Sequence, residues 1–204
     1  MPRHTPARIV VLAAGNGSNL QAIFDAIARG ALQAEVVLVV SHRLDAHALE
    51  RARLRGVPTA AHTLAAVKAQ GGTRDDFDRW LAETVAAAKP DLIVCAGWML
   101  ILGEQFLQPW GARTVNLHPA LPGAFAGKDG IGDAWRAAQQ GEITETGVMV
   151  HEVVAELDAG TPIAVERVPI DRGESLEALT ERMHAAEHRV LVQAIALKLA
   201  HIGS

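Results

Sequence analysis

Arg8-Ile9-Val10-Val11-Leu12-Ala13-Ala14-Gly15-Asn16-Gly17-Ser18-Asn19-Leu20 reads as a strand, a glycine turn and the start of a helix. The run 9–14 has no polar face, as in a strand buried on both sides of a parallel sheet. After the glycines, Leu20, Ile23, Phe24 and Ile27 fall at helical spacing. Ser18 and Gln21 have the Ser-x-x-Gln spacing of a capping box, which would start the helix near Ser18 and leave its free N–H groups facing the turn. Such a terminus attracts a phosphate through oriented donors and the positive end of the helix dipole. Leu20 stands where a dinucleotide fingerprint has its third glycine, and the lysine of a P-loop is missing, so the turn suits one phosphate rather than a pyrophosphate or ATP. On this segment alone, an ordinary tight strand-to-helix turn accounts for the pattern equally well.

The same alternation continues along the chain. Strands are expected at 35–40, 58–61, 91–96 and 113–118, and helices at 45–54, 73–88, 104–107 and 133–140. Residues 147–154 and 162–170 read as an antiparallel strand pair. A long last helix, 175–200, carries Leu176, Leu179, Met183, Val190, Ala194 and Leu197 on one stripe. Strand alternating with helix implies an α/β fold: a single doubly wound, mostly parallel sheet flanked by helices, with an antiparallel C-terminal strand pair and a long C-terminal helix. Its ligand crevice should open beyond the C-terminal ends of the strands. Residues 1–204 are expected to form one domain, since no repeat or linker interrupts them.

Two polar groups fall at such ends. In Asn116-Leu117-His118-Pro119-Ala120-Leu121-Pro122-Gly123, Asn116 and His118 are two apart on a strand and share a face, and the prolines then stop the strand. Asp158 lies in Glu156-Leu157-Asp158-Ala159-Gly160, between the antiparallel strands. An amide and an imidazole can stabilise a tetrahedral oxyanion while a carboxylate orients and charges the imidazole, which makes a set suited to acyl transfer. Asn-x-His-Pro by itself is equally a turn whose side chains satisfy local hydrogen bonds.

Together these segments resemble the glycinamide ribonucleotide formyltransferases of the formyl-folate transferase family, over nearly the whole chain from Ile9 into the last helix. The stretch from Gly15 to Ala22 is similar to that family's phosphate loop and distinguishes it from other formyl-folate enzymes. The resemblance implies transfer of a formyl group from 10-formyltetrahydrofolate, as co-substrate and without metal, to the amine of the ribonucleotide in purine biosynthesis. Asn116, His118 and Asp158 then match the catalytic residues. Gly17, Ser18, Asn19, His184, Ala185, Ala186 and Glu187 match the ribonucleotide site. Arg74, Met99, Leu100, Ile101, Leu102 and Asn116, with Val154, Ala155, Glu156, Leu157 and Asp158, match the folate site. Leu100 replaces an arginine common in bacterial members and Ala159 a glycine, while residues 122–125 are closer to fungal-type members. His151 is implied to lie near the active site, although a core histidine bonded to backbone fits the residue as well. The implied mechanism has charged His118 and Asn116 as oxyanion donors, with His118 passing a proton by way of a water held by Asp158.

Composition narrows the alternatives. The net charge of −4 opposes nucleic-acid binding, and half of the residues are hydrophobic, enough for a substantial core without any membrane-spanning stretch. The lone cysteine, Cys95, sits in an apolar run and reads as an inert core thiol, which suits the reducing cytoplasm. Arg3, His4 and Arg8 before the first strand imitate a signal peptide, but the apolar stretch is short and the strand–turn–helix reading uses it better. Small-molecule substrates and a monomer or homodimer are expected. A length of 204 residues leaves no room for the tRNA-binding or regulatory domains of other formyl-folate enzymes. A non-catalytic ligand-binding module would not need Asn116, His118 and Asp158 together. His184-Ala185-Ala186-Glu187-His188 fits a short zinc-hydrolase motif, in which Glu187 would be the general base. Glu187 also falls in line with Met183 and Val190 on the buried stripe, so it needs a partner, which the resemblance supplies as the ribonucleotide and a structural reading as a nearby arginine. Arg43, Arg51, Arg53 and Arg55 read as a solvated face. The glycine-rich loop containing Lys128 and Asp129 reads as mobile rather than catalytic.

Overall fold

The computed structural model describes residues 5–125 and 129–202, so Arg3, His4, Gly127 and Lys128 lie outside the described residues. Its elements run in the expected order. They are β1 (Ala7–Leu12), α1 (Ser18–Ala28), β2 (Ala34–Ser41), α2 (His47–Leu54), β3 (Thr59–Ala61), α3 (Leu64–Ala69) and α4 (Arg74–Ala88). These are followed by β4 (Leu92–Cys95), α5 (Glu104–Trp110), β5 (Thr114–His118), α6 (Gly130–Gln140), β6 (Glu145–Glu152), β7 (Pro162–Pro169) and α7 (Leu176–Ile202). The seven strands form one sheet in the order β3-β2-β1-β4-β5-β6-β7. The first five strands in that order pair in parallel, and β5–β6 and β6–β7 are antiparallel. From β1 the chain winds first toward β2 and β3 and then, by way of β4, toward β5, so the topological switch point lies between β1 and β4.

Both faces of the parallel sheet are covered, which explains the uninterrupted apolar run of β1. Ile9 and Val11 enter a core with Leu20 and Ile23 of α1, Leu49 of α2 and Met183 and Val190 of α7. Val10 and Leu12 enter a second core with Phe77 and Leu81 of α4 and Phe106 of α5. Fully burying a side chain of this kind contributes ~1.5–3 kcal/mol, so two such layers fix the sheet firmly between its helices.

Three local readings differ from expectation. The helix α1 is capped by Gly17 in the left-handed region (φ 80°), with no side-chain cap bond, so Ser18 and Gln21 form no capping box; Gln21 instead bonds Asp25. A complete capping box occurs on α4, between Thr73 and Asp76. The buried stripe of α7 is wider than expected and includes Leu191 and Ile195, whereas Leu197 is 40% exposed. A helix drifts by about 20° per seven residues, and that carries Leu197 off the stripe. The helix α3, capped by Thr63, was not anticipated from periodicity because its six residues are too few to show it.

Candidate active site

The turn after β1 and the segment after β4 both end at the switch point and open into one cleft of about 780 Å³. Gly15–Asn19 line one end, residues 96–102 and 153–158 the other, and Asn116, His118 and His151 lie between them. Most of the sequence-derived site residues therefore meet in one place. Three do not line it: Ala185 is exposed outside the cleft, Ala186 is buried in the α7 core, and Arg74 sits behind the wall, where its guanidinium bonds the Ile101 carbonyl.

Alternation along β5 sends Val115 and Leu117 into the core under α7 and turns Asn116 and His118 to the opposite face. The antiparallel neighbour β6 places His151 directly across from Asn116. His151 Nδ1 lies 2.8 Å from the Glu152 carbonyl, which can only accept, so Nδ1 carries the proton and Nε2 accepts from Asn116 Nδ2 at 3.1 Å. A core-like histidine thus orients the amide. The second Asn116 N–H reaches Asp158 Oδ1 at a longer 3.4 Å. Asp158 adopts a left-handed backbone (φ 53°), a conformation that Asp tolerates better than most residues. Its turn closes against β6 at Gly160, where a Cβ would lie 1.7 Å from the Glu152 carbonyl oxygen.

His118 is 4% exposed. Its Nε2 donates to the Phe125 carbonyl at 3.2 Å, and its Nδ1 faces Asp158 Oδ2 at 3.5 Å. Burial pushes the imidazole below its ordinary range and outweighs the opposing pulls of Asp158 and the Phe125 carbonyl, with His151 adding slightly to the depression. Burial thus opposes the charged His118 that the resemblance implies, while the Phe125 carbonyl and the Asp158 carboxylate, one at each ring nitrogen, favour it.

At the other end, Asn19 and Glu187 are buried and joined by a bond of 2.8 Å from Nδ2 to Oε2, while Asn19 Oδ1 has no hydrogen-bond partner among the described residues. The partner that Glu187 requires is thus an amide of the glycine turn rather than an arginine. His184 lines the cleft, whereas His188 lines a second cavity with Gln21 and Asp25 of α1, so the two histidines of the zinc-like motif border different cavities. Among the described residues no group of three or more His, Cys, Asp or Glu side chains is placed to hold a metal. Arg51, read from sequence as solvated, donates to the Asn16 carbonyl at 2.9 Å and to Asn16 Oδ1 at 2.9 Å, bracing the turn from outside. Only the packing of α2 against the turn reveals this. Cys95 borders the cleft but is buried, and burial pushes its thiol up to about 12, which removes it as a nucleophile at neutral pH.

The cleft at the switch point of this open, doubly wound sheet places the protein among the α/β enzymes that bind their ligands beyond the strand ends. A formyl transferase family model matches residues 7–195, and the chain belongs to that family. It is 51% identical to the phosphoribosylglycinamide formyltransferase of Schizosaccharomyces pombe, over 93% of this chain and 95% of that one. It is 43% identical to the Saccharomyces cerevisiae protein of the same name, over 92% and 95% of the two chains. Among solved structures, glycinamide ribonucleotide transformylase 1 from Geobacillus kaustophilus superposes with a TM-score of 0.86 at 38% identity, covering 95% of this chain and 98% of that one.

Proposed function

We propose that the protein transfers a formyl group from 10-formyltetrahydrofolate to the amine of glycinamide ribonucleotide, by direct attack through a tetrahedral intermediate. The observation that carries this reading is one cleft holding both the Gly17–Asn19 turn and the Asn116, His118 and Asp158 group. The turn and His184 hold the phosphate end of the ribonucleotide, with Glu187 positioned by Asn19 beside it. The other end of the cleft fits a flat, conjugated ligand. Met99, Leu100, Ile101, Leu102, Val154 and Leu157 give it an apolar wall, and the buried Trp98 Nε1 there has no hydrogen-bond partner among the described residues. Ala155 and Glu156 carry that wall to the Asp158 turn.

Formyl-folate supplies an activated one-carbon group, and the residues supply the rest. Asn116 releases its long bond to Asp158 and donates to the oxygen that becomes negative. Neutral His118 accepts the proton that the attacking amine must lose, at an imidazole whose positive charge Asp158 then supports. It returns that proton to the departing nitrogen. We place the reaction in the cytoplasm, where the buried Cys95 stays reduced, and in a monomer or homodimer; no helix among the described residues is long and apolar enough to cross a membrane. The direct test supplies 10-formyltetrahydrofolate with several amines, including glycinamide ribonucleotide and its dephosphorylated nucleoside, and follows release of tetrahydrofolate. Transfer should be fastest to the phosphorylated amine, and equal rates for the two would remove the phosphate role of the turn.

Two variants probe the ribonucleotide end. A side chain at Gly17 would meet Ala48 Cα at 2.8 Å and occupy a left-handed backbone, so it acts by forcing the turn away from α2 rather than by filling the cleft. Gly17→Val is expected to destabilise the fold by about 1–3 kcal/mol and to weaken ribonucleotide binding, with folate binding retained. Calorimetric titration with each ligand checks this, and parallel loss of both ligands would point to general disruption. Glu187→Gln is expected to raise KM for the ribonucleotide by about 10-fold, with that for the folate little changed. A strong chelator should leave wild-type turnover intact; activity abolished by chelation and restored by zinc would overturn the metal-free chemistry.

A further inference from the structure

The peptide planes of the Gly15-Asn16-Gly17 turn are held from outside the cleft, by α2. The Gly15 carbonyl accepts from the Ala48 N–H at 3.1 Å. The Asn16 carbonyl lies 2.9 Å from Arg51 Nε and 3.2 Å from His47 Nδ1, and because a carbonyl can only accept, both nitrogens donate to it. In a trans peptide the C=O and the following N–H point in opposite directions. Two carbonyls pinned on α2 therefore turn the Asn16 and Gly17 N–H groups away from it, toward the cleft that Gly15, Asn16 and Gly17 line. With the first N–H groups of α1, which have no side-chain cap, they make a concave row of donors for an anion.

The local sequence does not hold this arrangement by itself. The plane between Asn16 and Gly17 turns about φ of Gly17, which stands at 80°, and glycine takes either sign of φ at little cost. A turned plane would present the Asn16 carbonyl, a negative group, to an arriving phosphate. Arg51 opposes that rotation. Its fork holds Asn16 at two points, Nε on the carbonyl and Nη2 on the side-chain Oδ1 at 2.9 Å, and Nη1 reaches Gln21 Oε1 in the first turn of α1 at a longer 3.5 Å. Gln21 Nε2 donates to Asp25 Oδ1, which keeps the amide oxygen turned to Arg51. None of the three acceptors is a carboxylate, so these bonds leave the guanidinium charge in place beside the turn. We propose that Arg51 is a positioning residue for the ribonucleotide phosphate, which holds the Asn16–Gly17 peptide with its N–H toward the cleft and does not itself touch the substrate. The proposal rests on the reading of the turn as the phosphate end of the cleft.

Arg51→Ala is expected to raise KM for the ribonucleotide about 10-fold, with kcat and KM for the formyl donor changed less than about twofold. KM for the dephosphorylated nucleoside should stay the same, because the misdirected donors face only the phosphate. Arg51→Lys keeps the charge without the fork and should retain most of the defect, and added methylguanidinium should restore Arg51→Ala. Full recovery in Arg51→Lys would make the residue a point charge for the phosphate and overturn the positioning role. An equal rise in KM for the nucleoside, or for the formyl donor, would reduce Arg51 to general support of the fold and overturn it too. The peptide itself is read from the Gly17 amide signal in nuclear magnetic resonance during titration with inorganic phosphate. That signal should shift in the wild type and respond far less in Arg51→Ala; equal responses would overturn the proposal. If Arg51→Ala does not fold, Arg51→Lys carries the same comparisons. Failure of the wild type to transfer formyl groups would overturn the proposed activity alone, since the phosphate titration does not depend on it. A wild-type Gly17 amide that responds to neither inorganic phosphate nor the ribonucleotide would overturn both the positioning role and the phosphate reading of the turn.

Discussion

His118→Ala and Asn116→Ala each lower kcat by about 10²-fold or more while the dissociation constants of both substrates stay within a few-fold. The asymmetry follows from when the bonds are made. In the free protein Asn116 is held by His151 at 3.1 Å and more loosely by Asp158 at 3.4 Å, so its second N–H is available for an oxygen that becomes strongly negative only in the transition state. Truncating the amide removes a bond the ground state hardly uses. Truncating His118 removes the imidazole placed to hold the transferred proton next to Asp158 Oδ2. Single-turnover measurements separate chemistry from binding, and near-normal turnover in either variant would remove that residue from the mechanism. The double variant should fall well short of the product of the two losses, because both residues serve one transition state.

Asp158→Asn keeps the shape of the side chain and removes its charge, and turnover should fall on the order of 10²-fold. The pH dependence carries the sign. Burial holds His118 below its ordinary 6.5, and Asp158 works against that depression; without the carboxylate the imidazole's proton affinity falls further. The acid limb of kcat/KM should therefore move to lower pH in the variant, even as the plateau drops because the imidazolium formed during transfer has lost its counter-charge. An acid limb that stays in place would make Asp158 a support for the turn rather than an electrostatic partner. The same depression bears on stability. Below about pH 6.5 the unfolded chain takes up a proton at His118 that the folded chain resists, so stability at this residue declines as pH falls through that range.

The alternation of apolar runs with helical spacing was enough to place nearly every element and to imply the doubly wound sheet, because burial on two faces or one stripe imprints a short-range period on the chain. The Gly15-Asn16-Gly17-Ser18-Asn19 turn was legible for the same reason, since a left-handed position and a close approach demand particular residues locally. Asn116, His118 and Asp158 were legible as candidates from residue type and position at strand ends. Their protonation was not. That depends on how deeply His118 is desolvated, which only the packed structure decides, and there burial outweighs the charge of Asp158. The pairing of Asn116 with His151 likewise depends on β6 running antiparallel to β5, a register no local period encodes. Glu187 shows the division plainly. Its place on a buried helical stripe could be read from spacing, and with it the need for a partner, but the partner is Asn19, 168 residues away. Arg74 shows the same division: its likeness to a folate-site residue is carried by the sequence, whereas its bond to the Ile101 carbonyl, 27 residues away, appears only once the elements pack. Periodicity records which face of an element is buried; the identity of what meets that face is settled only when elements far apart in the chain pack together.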